Sequence, residues 1–135
     1  MRTASTIRRR RATGERGAAM VELAIVLPVL LLLVFGIIEF GRLYNAQVTL
    51  THAAREGIRD YVIHKNQGQA ESVATIAASS NFDTSPMDFT WDPSGECVPG
   101  EPASMSITYP FSMNIPFIGE NIVTITTEGV MRCGG

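Results

Sequence analysis

A long run of apolar residues near the N-terminus constrains this chain more than any other feature. Residues 23–38 contain no charged and no polar side chain, and the run extends back to Ala18 with Glu22 as its one interruption. A helix over these residues would be roughly 30 Å long, the thickness of a bilayer core. The chain after residue 64 is only about 70 residues long, too small a domain to bury a helix that is apolar on every side. The pattern therefore predicts a transmembrane helix over residues 18–39.

Charge differs sharply between the two sides of this run. Residues 1–17 carry six arginines and one glutamate, a net charge of +5, whereas residues 18–135 carry five basic and 12 acidic residues, a net charge of −7. Arginine-rich flanks stay on the cytoplasmic side of a membrane. We therefore expect residues 1–17 to be a basic cytoplasmic leader and the C-terminus to lie outside. An arginine cluster can also bind nucleic acid, but the apolar run directly behind this one favours a membrane.

Two other targeting signals share parts of this pattern. A cleaved secretory signal has a shorter apolar core followed by a small-residue cleavage site, whereas this run is long and ends in EFGR over residues 39–42. A twin-arginine signal would use the arginines at residues 8–11, but Glu15 and further residues separate them from the apolar core. A retained transmembrane helix therefore fits the sequence better than either signal.

Glu22 places a carboxylate in the first turns of the predicted membrane helix. One interpretation puts it at the membrane interface, where the dipole of the helix N-terminus favours an anion. The other pairs it with a second subunit. A peptidase cut after Gly17 would leave Ala18 with a new cationic amine, which Glu22 of a neighbouring subunit would neutralise. Because paired charges in lipid cost far less than isolated ones, this interpretation couples processing to assembly.

Small residues and a proline are the other notable features of the run. Ala18, Ala19, Ala24 and Gly36 would let transmembrane helices approach closely, so we expect them to contribute to helix packing. Pro28 removes one backbone hydrogen bond and bends a helix, which membrane helices tolerate where neighbours compensate. Its role is either a simple bend or a part in the same packing.

The residues around Glu22 resemble a known family. The segment RGAAMVELAIVLP over residues 16–28 is similar to the start of TadE-like proteins, minor pilins of the tight-adherence (Tad/Flp) type IV pilus. The segments that also resemble the family are FGIIEFGR at 35–42, AAREG at 53–57, YPF at 109–111 and MRC at 131–133. Glycine followed by glutamate five residues later is weak alone, but the arginine leader and apolar run make it specific. The resemblance is close over residues 8–63 and loose elsewhere.

The resemblance implies a minor pilin or pseudopilin of a Tad-type pilus in the bacterial inner membrane. A prepilin peptidase would cut between Gly17 and Ala18, and Glu22 would be the recognition and assembly residue. Leu23 stands where the major pilins usually carry tyrosine, which fits a minor pilin better than the main subunit. The implied partners are the inner membrane, prepilin peptidase, the major Flp-type pilin and other Tad minor pilins. The implied role is pilus initiation, assembly or adhesion.

Two other functions stay open at this point. The chain is alternatively an uncleaved single-pass subunit of the Tad secretion and assembly machinery, or an envelope anchor. A membrane-tethered enzyme or sensor is the third hypothesis, and it requires catalytic or ligand-binding residues. The sequence has only two histidines, at residues 52 and 64, and contains no G-x-S-x-G motif and no phosphate-binding loop. We therefore expect no enzymatic activity, no cofactor, no nucleic acid and no small-molecule substrate.

Beyond the membrane, apolar residues every three or four positions predict that the helix continues over residues 40–64 and ends by Gly68. The predicted stripe consists of Phe40, Leu43, Tyr44, Gln47, Val48, Thr51, Ala54, Ile58, Tyr61 and Val62. A column of residues on its polar side has the spacing of a metal site or of an ordinary solvated face with ion pairs, and we favour the solvated face and expect no metal. That column consists of His52, Glu56, Asp60 and His64.

Residues 65–135 predict a small extracytoplasmic domain and, with the helix, a pilin-like α+β fold. Apolar spacing predicts a short helix over 70–78, and weak alternation predicts a strand over 87–91. Pro110 and Pro116 are expected to limit the chain near them to a bend or an edge. Clear alternation predicts two strands of an antiparallel sheet, one through Met105, Ile107 and Tyr109 and one through Val123, Ile125 and Thr127.

Cys97 and Cys133 are the only cysteines, and both lie on the predicted outer side. An oxidising compartment favours a disulfide between them. The bond would close a long loop and contribute ~3–4 kcal/mol in the chain-entropy model, a large share for a domain with so small a core. The alternative is a pair of free, buried thiols.

Overall fold

The structure, a computed structural model, describes residues 12–79, 83–94, 96–116 and 118–134, with side chains from residue 17 onward. Residues 1–11 of the predicted leader lie outside the described residues. A long N-terminal helix, a short helix and a three-stranded antiparallel sheet confirm the predicted α+β fold. In chain order the elements are α1 Ala12–His64, α2 Gln67–Ala78, β1 Asp88–Asp92, β2 Pro102–Ile115 and β3 Gly119–Arg132.

The helix α1 is continuous from Ala12 to His64, through the apolar run and Pro28. It ends because Lys65 takes a left-handed conformation with φ 54°, from which its N–H donates to the Tyr61 carbonyl at 2.7 Å. Asn66 then caps α2, since its side-chain oxygen accepts the N–H of Gln69 at 3.1 Å. The helix thus ends at His64, where the predicted range ends, but Gly68 does not make the break. The break lies at Lys65 and Asn66, and Gly68 lies in the first turn of α2.

The C-terminal half of α1, residues 40–64, is called its outer half below. In its first turns this half buries a different face from the predicted one. The prediction is correct from Ala54 to Val62, where Ile58 and Tyr61 are buried. It is wrong at Phe40 and at the other early members of the stripe, since Phe40 is 68% exposed. The residues buried in their place are Ala46, Leu50 and Ala53, and the early members left exposed are Phe40, Tyr44, Gln47 and Val48.

The sheet has the order β1-β2-β3, with both pairs antiparallel. Every second residue of β2 from Ala103 to Phe111 is buried, as are Ile125 and Thr127 of β3, which confirms both predicted strands. Pro110 lies within β2, which runs on to Ile115, but it lies at an edge, as predicted. The strand β1 begins opposite Thr108, so one side of β2 is unpaired beyond that residue, and a proline is tolerated there.

The core lies between one face of α1, the small residues of α2 and the inner face of the sheet. Ala70, Ala74 and Ala78 recur every four residues on α2 and are fully buried. Gly129 of β3 lies against the backbone of Ala54, where an added Cβ would meet the carbonyl oxygen at 2.6 Å. Small residues on three elements thus bring α1, α2 and β3 close enough to exclude water.

Trp91 of β1 joins the sheet to both helices. Its ring packs on Tyr61 of α1 with centroids 4.8 Å apart. Its indole N–H donates to the Glu71 carboxylate of α2 at 2.9 Å. A partly buried indole normally finds such a partner, so this contact fixes the edge strand against the helix pair.

Candidate functional site

The first half of α1 is an apolar helix that the rest of the chain leaves bare. Residues 17–35 are all exposed, and they include Met20, Leu23 and Ile25. Among the described residues, one helix is long and apolar enough to cross a membrane, and none of its most apolar stretch is buried. Burying such a surface would remove a large area of hydrocarbon from water. The N-terminal helix can therefore serve as a membrane span.

Glu22 lies on this bare helix, and no other described side chain forms a hydrogen bond or an ion pair with it. The Gly17–Ala18 bond lies one turn earlier, inside α1, which begins at Ala12. A Cβ added at Gly17 would meet nothing within 4 Å. The helix thus presents a carboxylate and a glycine junction one turn apart, both open to a partner.

The predicted packing residues do not share one face of the span. Successive residues of a helix turn by roughly 100°, so Ala18, Glu22 and Gly36 fall on one face within about 40°. Ala19 and Ala24 lie roughly 100–120° away on either side of it. One close helix–helix contact along the first face would therefore use Ala18 and Gly36 and would place Glu22 at its edge.

Glu39 and Arg42 form a partly buried ion pair at the end of the apolar run. There the run meets the domain formed by the outer half of α1, α2 and the sheet, which we call the outer domain. The Glu39 carboxylate accepts from Arg42 Nη1 at 2.8 Å, and the Arg42 guanidinium lies 5.6 Å from the centre of the Phe111 ring. Glu39 is only 7% exposed, and no described residue bonds its Oε2. This pair is not among the residues predicted from the sequence, although a signal for it is present: Glu39 is the first charged residue after the apolar run, and Arg42 follows at helical spacing.

The column of acidic residues and histidines on α1 does not gather into a ligand set. Asp60 and His64 are in contact, with Nδ1 of His64 2.8 Å from Oδ1 of Asp60. Gln69 of α2 donates to the same oxygen at 3.4 Å, while His52 and Glu56 point to solvent. No group of three or more potential ligands in the described part of the chain could hold a metal ion.

Cys97 and Cys133 are joined by a disulfide with Cα atoms 5.6 Å apart. Both residues are buried. Backbone hydrogen bonds flank the bond, since the Gly100 N–H donates to the Cys133 carbonyl at 2.8 Å and the Cys133 N–H donates to the Glu101 carbonyl at 2.9 Å. The disulfide therefore ties the end of β3 to the loop between β1 and β2.

Comparison with known proteins adds one finding. Residues 17–59 match the family model described as TadE-like protein. The match covers the bare half of α1, the Glu39–Arg42 pair and most of the outer half of the helix, and it confirms the resemblance to TadE-like proteins of the Tad pilus system. That family consists of pilus components, not enzymes. No curated protein and no solved structure matches the chain.

Proposed function

We propose that this chain is a minor pilin or pseudopilin of a Tad-type pilus, held in the bacterial inner membrane by residues 18–39. The observation that carries the proposal is the bare apolar half of α1, which lies within the TadE-like match. A helix that is apolar on all sides is stable in lipid or against other apolar helices. Those are the two environments that a pilin helix occupies before and after assembly.

The charge distribution supports an orientation with the N-terminus in the cytoplasm. The six arginines of residues 1–17 precede the span, and the acidic remainder follows it. Basic flanks are retained on the cytoplasmic side. The α+β domain then lies outside, where an oxidising environment maintains the Cys97–Cys133 bond.

Glu22 is the residue that we assign to assembly. No described side chain of its own chain pairs with it, and a carboxylate within a membrane helix is costly unless a cation neutralises it. The amine of a neighbouring Ala18, exposed by cleavage after Gly17, would supply that cation. The major Flp-type pilin and other Tad minor pilins are the partners that would carry such an amine.

Replacing Glu22 by alanine is expected to leave membrane insertion intact and to abolish incorporation into pili. Insertion depends on the apolar run, which the substitution makes more apolar, whereas assembly loses its intersubunit ion pair. Immunoblots of sheared pili and of the membrane fraction measure the two effects separately.

Two companion variants sharpen this test. Glu22→Gln keeps the size of the side chain and removes its charge, so we expect the same loss. Met20→Ala truncates a neighbouring side chain that is also exposed, and this variant should assemble normally. Normal amounts of the Glu22→Ala protein in pili would refute the assembly role.

One observation favours the second candidate, an uncleaved single-pass subunit of the Tad machinery. The Gly17–Ala18 bond lies inside a continuous helix that begins at Ala12. Peptidases act on extended backbone, so cleavage here requires the first turns of α1 to unwind. Gly17 lowers the cost of unwinding, because glycine in a helix interior is ~1 kcal/mol less favourable than alanine.

N-terminal sequencing of the mature protein from its native host distinguishes the two candidates. We expect the chain to start at Ala18, because prepilin peptidase would remove residues 1–17. A host lacking its prepilin peptidase is the control and should give the full-length chain. An intact N-terminus in the normal host would instead support the static membrane subunit.

A further inference from the structure

Exposed apolar side chains lie at the connection between β2 and β3. Ile118 is 65% exposed and Ile122 is 67% exposed. Asn114, Glu120 and Asn121 nearby are exposed as well, and Glu120 is the one charged side chain among residues 113–116 and 118–122. We call these two stretches the hairpin tip. Met113 packs against the core of the outer domain, but Ile118 and Ile122 do not belong to that core, so the exposure of these two side chains requires another explanation.

The β2–β3 hairpin runs along α1 toward the apolar run. A Cβ at Gly57 would contact Met105 of β2, and Arg42 lies over Phe111 of the same strand. From Met105 to Phe111 the strand advances ~20 Å. From Gly57 back to Arg42 the helix covers ~22 Å. The two elements therefore advance together, and the hairpin lies nearly parallel to the helix axis.

This geometry fixes the level that the hairpin tip reaches. The last pair of the ladder is Ile115 with Gly119, and Ile115 lies roughly 13 Å beyond Phe111 in the same direction. Ile38, the last residue of the uncharged run, is only ~6 Å beyond Arg42 along the helix. The hairpin tip thus extends roughly 7 Å past the outer end of the uncharged run.

The ion pair at the helix exit agrees with this placement. Glu39 is buried although Ile38 and Phe40, its neighbours along the helix, are exposed. Its partner Arg42 lies over Phe111, so the covered side of the helix is the side that faces the hairpin. A carboxylate at the edge of a bilayer is costly when it faces hydrocarbon, and the outer domain shields this one.

We propose that the hairpin tip enters the outer leaflet of the membrane and that Ile118 and Ile122 contact lipid there. The inference rests on the proposed function, because it takes the apolar run as a transmembrane helix. The depth of roughly 7 Å lies within the 5–10 Å over which interfacial segments bury apolar side chains. Glu120 and the two asparagines keep the insertion shallow, since their polar groups remain among the headgroups. The outer domain is thereby held to the membrane at a second point beside the span.

Depth measurements with a nitroxide label test this directly in the full-length chain. Ile118→Cys introduces the one free thiol, because Cys97 and Cys133 are joined. The labelled protein is reconstituted into phosphatidylcholine vesicles, which suit a tip that carries one acidic and no basic side chain. Relaxation of the label by oxygen, which concentrates in lipid, is compared with relaxation by a water-soluble nickel chelate present on both sides of the membrane.

Two control positions calibrate the measurement. Leu31→Cys places the label in the apolar run, and Val130→Cys places it on an exposed apolar residue near the other end of β3. We expect the oxygen-to-nickel ratio at position 118 to exceed that at 130 several-fold and to approach that at 31. A ratio at 118 equal to that at 130, with a lipid value at 31, would overturn the hairpin proposal alone.

Two other outcomes also contradict the proposal, and each has its own signature. Low access of both reagents at 118, together with spin–spin broadening, would mean that a second copy of the chain covers the hairpin tip. A water-like ratio at position 31 would mean that the apolar run does not cross the membrane, so the proposed function would fail as well. Lipid contact at position 118 is therefore supported by one result only: a high oxygen-to-nickel ratio at both 118 and 31, with a low ratio at 130.

Discussion

Replacing Gly129 by alanine is expected to lower the free energy of unfolding of the outer domain by about 2–3 kcal/mol. An added Cβ would lie 2.6 Å from the Ala54 carbonyl oxygen and 2.8 Å from its carbonyl carbon. Both atoms belong to the backbone of α1, so no side-chain rotation relieves the overlap. The third strand must move away from the helix, which loosens the contact between α1 and the sheet. The gain from replacing a strand glycine, ~0.5–1 kcal/mol, only partly offsets this cost.

Urea unfolding in a mild detergent, followed by the fluorescence of Trp91, measures the effect. This single tryptophan packs between Tyr61 and Glu71 and reports on the outer domain alone. Gly41→Ala is the matched control, because a Cβ there meets nothing within 4 Å and alanine favours a helix. Equal stability of the Gly129→Ala and Gly41→Ala proteins would show that α1 and β3 are not in close contact.

Removing the disulfide is expected to have the largest effect on stability. The bond closes a loop with a sequence separation of 36 residues, which corresponds to ~3–4 kcal/mol in the chain-entropy model. The double variant Cys97→Ala, Cys133→Ala should therefore unfold at a much lower urea concentration. Alanine is chosen because both positions are buried, and a serine hydroxyl there would add a cost of its own.

Reduction of the unchanged protein is the control for this variant. Treatment with a thiol reductant breaks the bond but keeps both sulfur atoms, so it separates loss of the cross-link from loss of packing. We expect reduction to account for most of the difference between the double variant and the oxidised protein. A loss below about 1 kcal/mol in both experiments would mean that the backbone bonds around Cys133 are sufficient.

The elements of the fold follow from periodicity, but the choice of buried face does not. Alternation at Met105, Ile107 and Tyr109 is enough to place β2. Along the outer half of α1, in contrast, two apolar stripes compete. The stripe with Ala46 and Ala53 is the one that the core buries, because small residues allow close approach. That choice depends on the shape of the partner surface, which no local pattern contains.

The same limit applies to the site. Glu22 and the Gly17–Ala18 junction stand out in the sequence because a charge and a glycine border an apolar run. Glu39 does not stand out, because a charged residue after a membrane span is ordinary. Its burial depends on β2, which reaches it from more than 70 residues later in the chain. Sequence reading therefore finds residues that are unusual for their neighbours and misses residues that distant contacts make unusual.

The unbroken course of α1 has a mechanical consequence. Its 53 residues form a rod ~80 Å long, and one end of that rod is built into the core of the outer domain from Ala46 to Val62. No hinge separates the two halves. A displacement or rotation applied to the apolar half is therefore transmitted to the outer half through a continuous helix. Under the proposed function, a force that draws the apolar half of the helix out of the bilayer would therefore also lift and rotate the outer domain.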